Sequence, residues 1–356
     1  MDIDGFRPSL LSACRLMGFL PLSLTFLLAA SPLLAATPSP LEGPQLQKDA
    51  APLPEQAMAP EVFEVVLLEG DLPALQLACA DAVQFDLEER LRLLRNRLIE
   101  VAPSPQPFEV VMENAWALMQ CKAPDSVPVV LSRYGPAPGQ QRREWLLLSW
   151  RAAAAALDQE RAILALLRLA EGDPSRLEAE ALVVGLDDAG QPLTRSGLDV
   201  LADHQIANGD AAEAVITLLA GRRTGEAAAR RLGLASELLG ELEPERSGPL
   251  LEAALDQAAA VQAWNLAEDL LRLQLTLELE NGGSGDRPRE RLRRLATRVD
   301  DRFTLLDLDR DAPVLTPGQR EQLDQELRSP RAPGGHAALG ESEASEADAT
   351  VFSAQP

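Results

Sequence analysis

From residue 86 to residue 328, apolar side chains return every three to four positions with polar residues between them. That period belongs to amphipathic helices. In FDLEERLRLLRNRLIEVA, Leu87, Leu91, Leu94 and Leu98 form one stripe, and Asp86 and Glu89 have capping-box spacing. SPQPFEVVMENAWALMQC offers Ser104 as N-cap and Pro105 in the first turn. APDSVPVVLSRYG offers Asp125 as a cap and stops at Gly135. QQRREWLLLSWRAAAAALD predicts a long helix. LDQERAILALLRLAEGDP predicts the next one, opened by Asp158 and ended by Asp173-Pro174. DPSRLEAEALVVG predicts another helix, stopping at Gly185. Further helices are predicted in SGLDVLADHQIANG, DAAEAVITLLAG, GEAAARRLGLASELLG, SGPLLEAALDQAAAVQ, NLAEDLLRLQLTLELENGG and RPRERLRRLATRVD. TPGQREQLDQELRS closes the series, with Thr316 as N-cap and Gln319 completing a capping box. No segment sustains a period of two, and RFTLLDLDRDAPVL is the only stretch that could be extended. The expected fold class is all-α, arranged as a solenoid or as a bundle.

The helical period fails at both ends. Arg7 and Arg15 precede an apolar run from Leu16 to Ala36. Residues 1–36 therefore read as an export signal cleaved near Ala36, or as an uncleaved anchor, since the run approaches the roughly 20 residues that span a bilayer. Pro21 and Pro32 weigh against a regular spanning helix. LSAC, residues 11–14, imitates a lipoprotein signal, but the apolar run follows Cys14 instead of preceding it. Residues 37–60 are Pro-rich and read as a linker. Residues 61–328 form the helical domain, and residues 329–356 read as a disordered tail.

Composition narrows the picture. Hydrophobic residues make up 46% and aromatics 4%, so the core must be Leu, Ala and Val, which favours close helix packing over a β-sandwich. A net charge of −22 repels nucleic acid and anionic membranes. The expected partner is a protein or peptide segment. Nucleic acid is not expected, and membrane contact is expected only through an uncleaved N-terminus. Lys48 and Lys122 are the only lysines, which fits a GC-rich bacterial coding bias. Removal of Cys14 with the signal leaves Cys79 and Cys121, which either pair as a disulfide or stay two separate buried thiols.

Two stretches share small residues and turns at fixed spacing. Ala162, Leu166 and Pro174 follow one pattern. Leu198, Leu201, Ala202 and Gln205, the turn Gly209-Asp210, and Ala214 with Leu218 follow a fuller version, and WNLAEDLL adds Ala267 and Leu271. These residues resemble the tetratricopeptide repeat, with its W-x2-L-G-x2-Y, A-x3-F and P positions over 34 residues. Trp150 departs from the pattern, standing where a small residue belongs. Asp125 and Asp158 lie 33 residues apart. Asp158 and Asp210 lie 52 apart, the length of one repeat with an added helix, and Ala214 and Ala267 lie 53 apart. The resemblance covers parts of residues 123–280. It implies a right-handed α-solenoid of helix-turn-helix repeats with a concave binding surface. It also implies that Cys79 and Cys121 end equivalent helices one unit apart, where a disulfide would staple the N-terminal units.

Chemistry is sparse. His204 lies on a predicted helix and His336 in the tail, so no histidine-based or metal site can be assembled from them. The sequence lacks H-E-x-x-H, G-x-S-x-G and C-x-x-C. NGGSGDRPR lacks the phosphate-loop ending and reads as a flexible loop. DLDRD, residues 307–311, starts like a calcium loop, but Ala312 replaces the required Gly and Gly318 the closing Glu. Asp187-Asp188 and Asp300-Asp301 read as solvated pairs. Arg287, Arg289, Arg291, Arg293 and Arg294 form either a helix face balanced by nearby acids or a docking patch for an acidic partner. Trp116, Trp145, Trp150 and Trp264 belong to the core or to a groove. No cofactor or metal is expected. The expected function is a non-catalytic, exported interaction scaffold or assembly factor of a bacterial envelope or thylakoid lumen. The alternatives are a helical enzyme or enzyme subunit acting on envelope polymers, and a membrane-anchored spacer.

Overall fold

The computed structural model describes residues 56–101 and 106–328, which are predominantly helical. In order they form α1 (Pro60–Glu69), α2 (Leu72–Gln84), α3 (Glu88–Glu100), α4 (Phe108–Gln120), α5 (Val127–Leu131), α6 (Gln140–Ala155) and α7 (Gln159–Leu169). An antiparallel hairpin follows, β1 (Ala181–Leu186) and β2 (Pro192–Ser196). Then come α8 (Gly197–Ala207), α9 (Ala211–Leu219), α10 (Glu226–Leu242), α11 (Pro244–Ala260), α12 (Trp264–Glu280), α13 (Asp286–Val299), α14 (Arg302–Asp311) and α15 (Pro317–Arg328). Short 3₁₀ segments at Pro124–Ser126 and Pro174–Ala179 lead into α5 and β1. The signal, most of the linker, Ser104, Pro105, His336 and the tail lie outside the described residues. At the linker's end the chain is already held: the Met58 N–H donates to Asp81 Oδ1 (3.0 Å), and Arg90 donates to the Met58 carbonyl (2.7 Å).

One turn recurs through the chain. Asp86, Lys122, Leu157, Gly209, Gln262 and Asp300 all take left-handed backbone, with φ from 52° to 87°. In each case the next N–H donates to the carbonyl five residues back. The bonds run from Leu87 to Ala82, Ala123 to Leu118, Asp158 to Ala153, Asp210 to Gln205, Ala263 to Ala258 and Asp301 to Ala296, all at 2.8 or 2.9 Å. This is the Schellman closure, and it satisfies a carbonyl that the helix end would leave unpaired. The donating residue is also the N-cap of the following helical segment. The unit is thus a helix, one left-handed residue, one cap and a second helix.

These turns are 36, 35, 52, 53 and 38 residues apart, by their positions. Both long intervals hold an insertion. Between Gly209 and Gln262 it is α10. Between Leu157 and Gly209 it is the 3₁₀ segment and the hairpin, not the added helix expected there. DPSRLEAEALVVG therefore becomes a 3₁₀ turn and a strand. Its apolar run is too short for a helical face, and Gly185 sits inside β1 instead of ending a helix. The connecting loop is organised by Asp187, whose Oδ1 accepts the N–H groups of Ala189 (2.9 Å) and Gln191 (2.8 Å), while Gly190 takes φ 75°.

Several local expectations are corrected. Asp86 is the left-handed residue and caps nothing, Leu87 is the N-cap, and Glu89 pairs with Arg92. Asp125 is exposed inside a 3₁₀ turn and does not cap α5. RFTLLDLDRDAPVL is helical over its first ten residues, because Asp301 accepts the Thr304 N–H (3.1 Å) and starts α14. Residues 307–311 are part of that helix, which is incompatible with a calcium loop. α11 begins at Pro244, three residues before its predicted start at Ser247. Asp158 and the Thr316/Gln319 box cap as read, with Asp158 accepting from the Arg161 N–H at 3.0 Å and Gln319 Oε1 from the Thr316 N–H at 2.9 Å.

The core follows the chain in successive groups. Leu75, Leu94, Leu98 and Leu118 pack in the first, and Ala162, Leu166, Leu198 and Leu201 pack around Trp150 in the second. Ala202, Leu218 and Leu239 share a third, and Leu251, Leu255, Ala267 and Leu271 a fourth. Helices pack on near neighbours in sequence, including alternate ones such as α2 on α4 and α10 on α12. Gly233 and Gly240 make that last approach possible: a Cβ at either would meet a Leu270 or Leu277 methyl closer than 3 Å.

Candidate interaction site

The residues singled out for repeat packing occupy equivalent places. Ala162, Ala214 and Ala267 each stand four residues after the cap of the second helix, and each is buried. Leu91 and Val127 fill that place in α3 and α5. Leu166 and Leu218 follow one turn later and are also buried. Leu198, Leu201 and Ala202 form the buried face of α8, and Gly209 turns the chain after it. Pro174 is the first residue of a 3₁₀ segment. Cys79 on α2 and Cys121 after α4 form a disulfide with a Cα separation of 4.9 Å, both side chains being fully buried.

The basic run on α13 is paired internally. Arg291 donates to Glu252 (2.9 Å) and Gln274 (3.0 Å), and Arg287 also reaches Glu252 (3.1 Å). Arg293 and Arg294 both pair with Glu290, and Arg289 donates to the Ser284 carbonyl. Asp187 and Asp301 serve the hairpin loop and a helix cap. Trp150 is buried; Trp116, Trp145 and Trp264 are half-buried. Trp150 Nε1 donates to His204 Nε2 (3.0 Å), and His204 Nδ1 lies 2.6 Å from Gln159 Oε1. His204 thus ties α6, α7 and α8 together, and burial holds its pKa below the usual value against the opposing pull of Asp203. Among the described residues, no three His, Cys, Asp or Glu side chains are arranged to hold a metal ion.

A second knot lies beside the hairpin. Arg231, 5% exposed, donates from Nε to Asp199 Oδ1 (2.5 Å) and from Nη1 to Glu178 Oε1 (2.5 Å). Burial disfavours its charge, but these hydrogen bonds outweigh that and raise its pKa. A cavity of about 360 Å³ adjoins it, and its other charges are matched: Arg195 with Asp203, and Arg230 with Glu226. It reads as a clamp between the hairpin base, α8 and α10.

A second concavity is different in kind. A groove of about 730 Å³ opens between the start of α6 and the end of α7. Its apolar lining is Leu146, Leu164, Leu167 and Leu169, with Leu164 45% exposed. Arg142, Arg143 and Arg168 line it too. Arg143 pairs with Glu180, and Glu171 pairs with Arg176. Arg142 and Arg168 are exposed and have no acidic partner among the described residues. The groove therefore combines leucine methyls with unmatched positive charge on an acidic chain, which suits a ligand carrying both carboxylates and apolar side chains. Sequence reading missed it, because Arg142 and Arg168 lie 26 residues apart and only the folding of α7 back onto α6 unites them.

No protein-family model matches the chain, and no curated protein does. Among the described residues, no helix is long and apolar enough to cross a membrane.

Proposed function

We propose that the chain is an exported, non-catalytic α-solenoid that holds a segment of another protein. The observation that carries this reading is the recurrent helix–left-handed residue–cap–helix turn at Asp86, Lys122, Leu157, Gly209, Gln262 and Asp300. Units that pack mainly on sequence neighbours bury a continuous core only by stacking, and stacks of this kind present extended binding surfaces. Export is supported by the apolar run after Arg15 and by a cysteine pair placed for oxidation. Binding in preference to catalysis is supported by the carboxylates. Asp301 and Asp309 titrate low for structural reasons: a helix cap in one case, and the Leu315 and Val314 N–H groups in the other.

The test has two readouts. Small-angle scattering should give a particle longer than a compact domain of this mass. N-terminal sequencing of chain recovered from its native host should find a start near Thr37, with one stoichiometric partner retained after crosslinking. A spherical particle sinks the solenoid. An intact N-terminus in the membrane fraction with no crosslinked partner favours the anchored spacer.

A further inference from the structure

We propose that the groove between α6 and α7 is the docking site of the chain's own acidic tail, residues 339–352. The site side of the argument is charge. Among the described arginines, only the side chains of Arg142, Arg168, Arg223 and Arg310 have no ion pair, hydrogen bond or ring contact, and two of these four line this one groove. A pair of unmatched guanidinium groups beside exposed leucine is a stable surface only if solvent or a complementary segment covers it.

The occupant side comes from the sequence. LGESEASEADATVF carries Glu341, Glu343, Glu346 and Asp348 between Leu339 and the pair Val351-Phe352. No Lys or Arg follows Arg331, so nothing within the segment neutralises those carboxylates. It complements the groove: carboxylates for the two unmatched arginines, and large apolar side chains, one of them aromatic, for the exposed leucine. Twelve residues lie between Arg328, the end of α15, and Glu341, a span of about 40 Å when extended. The proposal does not depend on an outside partner, so failure to capture one leaves it standing.

The experiment uses the full chain. A photo-crosslinking p-benzoylphenylalanine replaces Phe352, and adducts formed on irradiation are mapped by mass spectrometry. The expected adducts join residue 352 to residues 139–172 of the same molecule. The double variant R142E/R168E should lower their yield at least fivefold, and E341K/E343K/E346K/D348K in that background should restore it. The tail variant E341Q/E343Q/E346Q/D348N touches none of the helices and should show the same fivefold loss, so a folding defect in the arginine variant cannot mislead. Adducts elsewhere, or a yield indifferent to the tail charges, overturn the proposal. Adducts between two chains that grow with protein concentration also overturn it, and give the groove to another copy's tail.

Discussion

Leu157 shows how a single position can oppose its neighbours. It takes φ 58° and is 79% exposed, so it pays the steric penalty of left-handed backbone without burying its side chain. That penalty is about 1–2 kcal/mol for an L-residue, and glycine escapes it at an entropic cost of about 0.5–1 kcal/mol. Leu157→Gly should therefore stabilise the protein by about 0.5–1 kcal/mol in urea unfolding; a destabilised variant would mean the Leu157 side chain has a contact that the structure does not show. His204 gives a pH prediction. Trp150 donates to its Nε2, so the folded ring is neutral, and protonation would set two N–H groups against each other. The folded pKa lies below the unfolded value of about 6.5, so the unfolded chain binds the proton first. Stability is then full above about pH 6.5 and falls as pH drops from there towards the folded pKa. Urea midpoints at pH 7.5 and 5.0 should separate for the native chain, and the part due to this ring should vanish in His204→Phe.

At the scale of elements, the hairpin is held at its base. Among the described residues β1 and β2 are a lone pair of strands, which is marginal in water, and Val184, Leu186 and Leu193 are exposed. Arg231 supplies the anchor by joining Glu178 before β1 to Asp199 after β2. Arg231→Met roughly keeps the volume but strands Asp199, 30% exposed, and leaves Glu178, 19% exposed, with only Arg222, whose N–H it accepts at 3.0 Å. A loss of about 2–3 kcal/mol is expected, smaller than for a fully buried pair because water reaches both acids. Hydrogen exchange should rise first at residues 181–196; unchanged protection there would mean that the helices, not the arginine, hold the hairpin. The helices themselves were legible, since a 3.6-residue stripe persists over ten or more positions in segments such as α3 and α7. The hairpin was not, because six residues are too few for a period and its loop depends on the Asp187 side chain. Five of the six recurrent turns were hidden for a related reason. Only Gly209 advertises left-handed backbone, while Asp86, Lys122, Leu157, Gln262 and Asp300 adopt it because packing on both sides demands it. A usable signal lay in the acceptors, five of them Ala or Leu five residues before a cap and buried: Ala82, Leu118, Ala153, Ala258 and Ala296.

The whole molecule raises the question of cooperativity. Its core runs in successive groups, and the disulfide lies wholly in the first, with Leu75, Leu94, Leu98 and Leu118. Cys79 and Cys121 close a loop of 42 residues, and by the chain-entropy account such a crosslink stabilises by about 4 kcal/mol. In a single cooperative core that loss would be shared by every residue. In a stack of units it falls mainly on those it staples, because each unit senses distant ones only through its neighbours. The double variant C79A/C121A should therefore raise hydrogen exchange across α2 to α5, residues 72–131. Protection in α10 to α13, residues 226–299, should change little. Two alanines also leave small voids where two buried sulfurs were, which adds to the local effect but does not spread it. Equal loss of protection at both ends would show that the chain unfolds as one body, and the stacked reading of its function would fall with it.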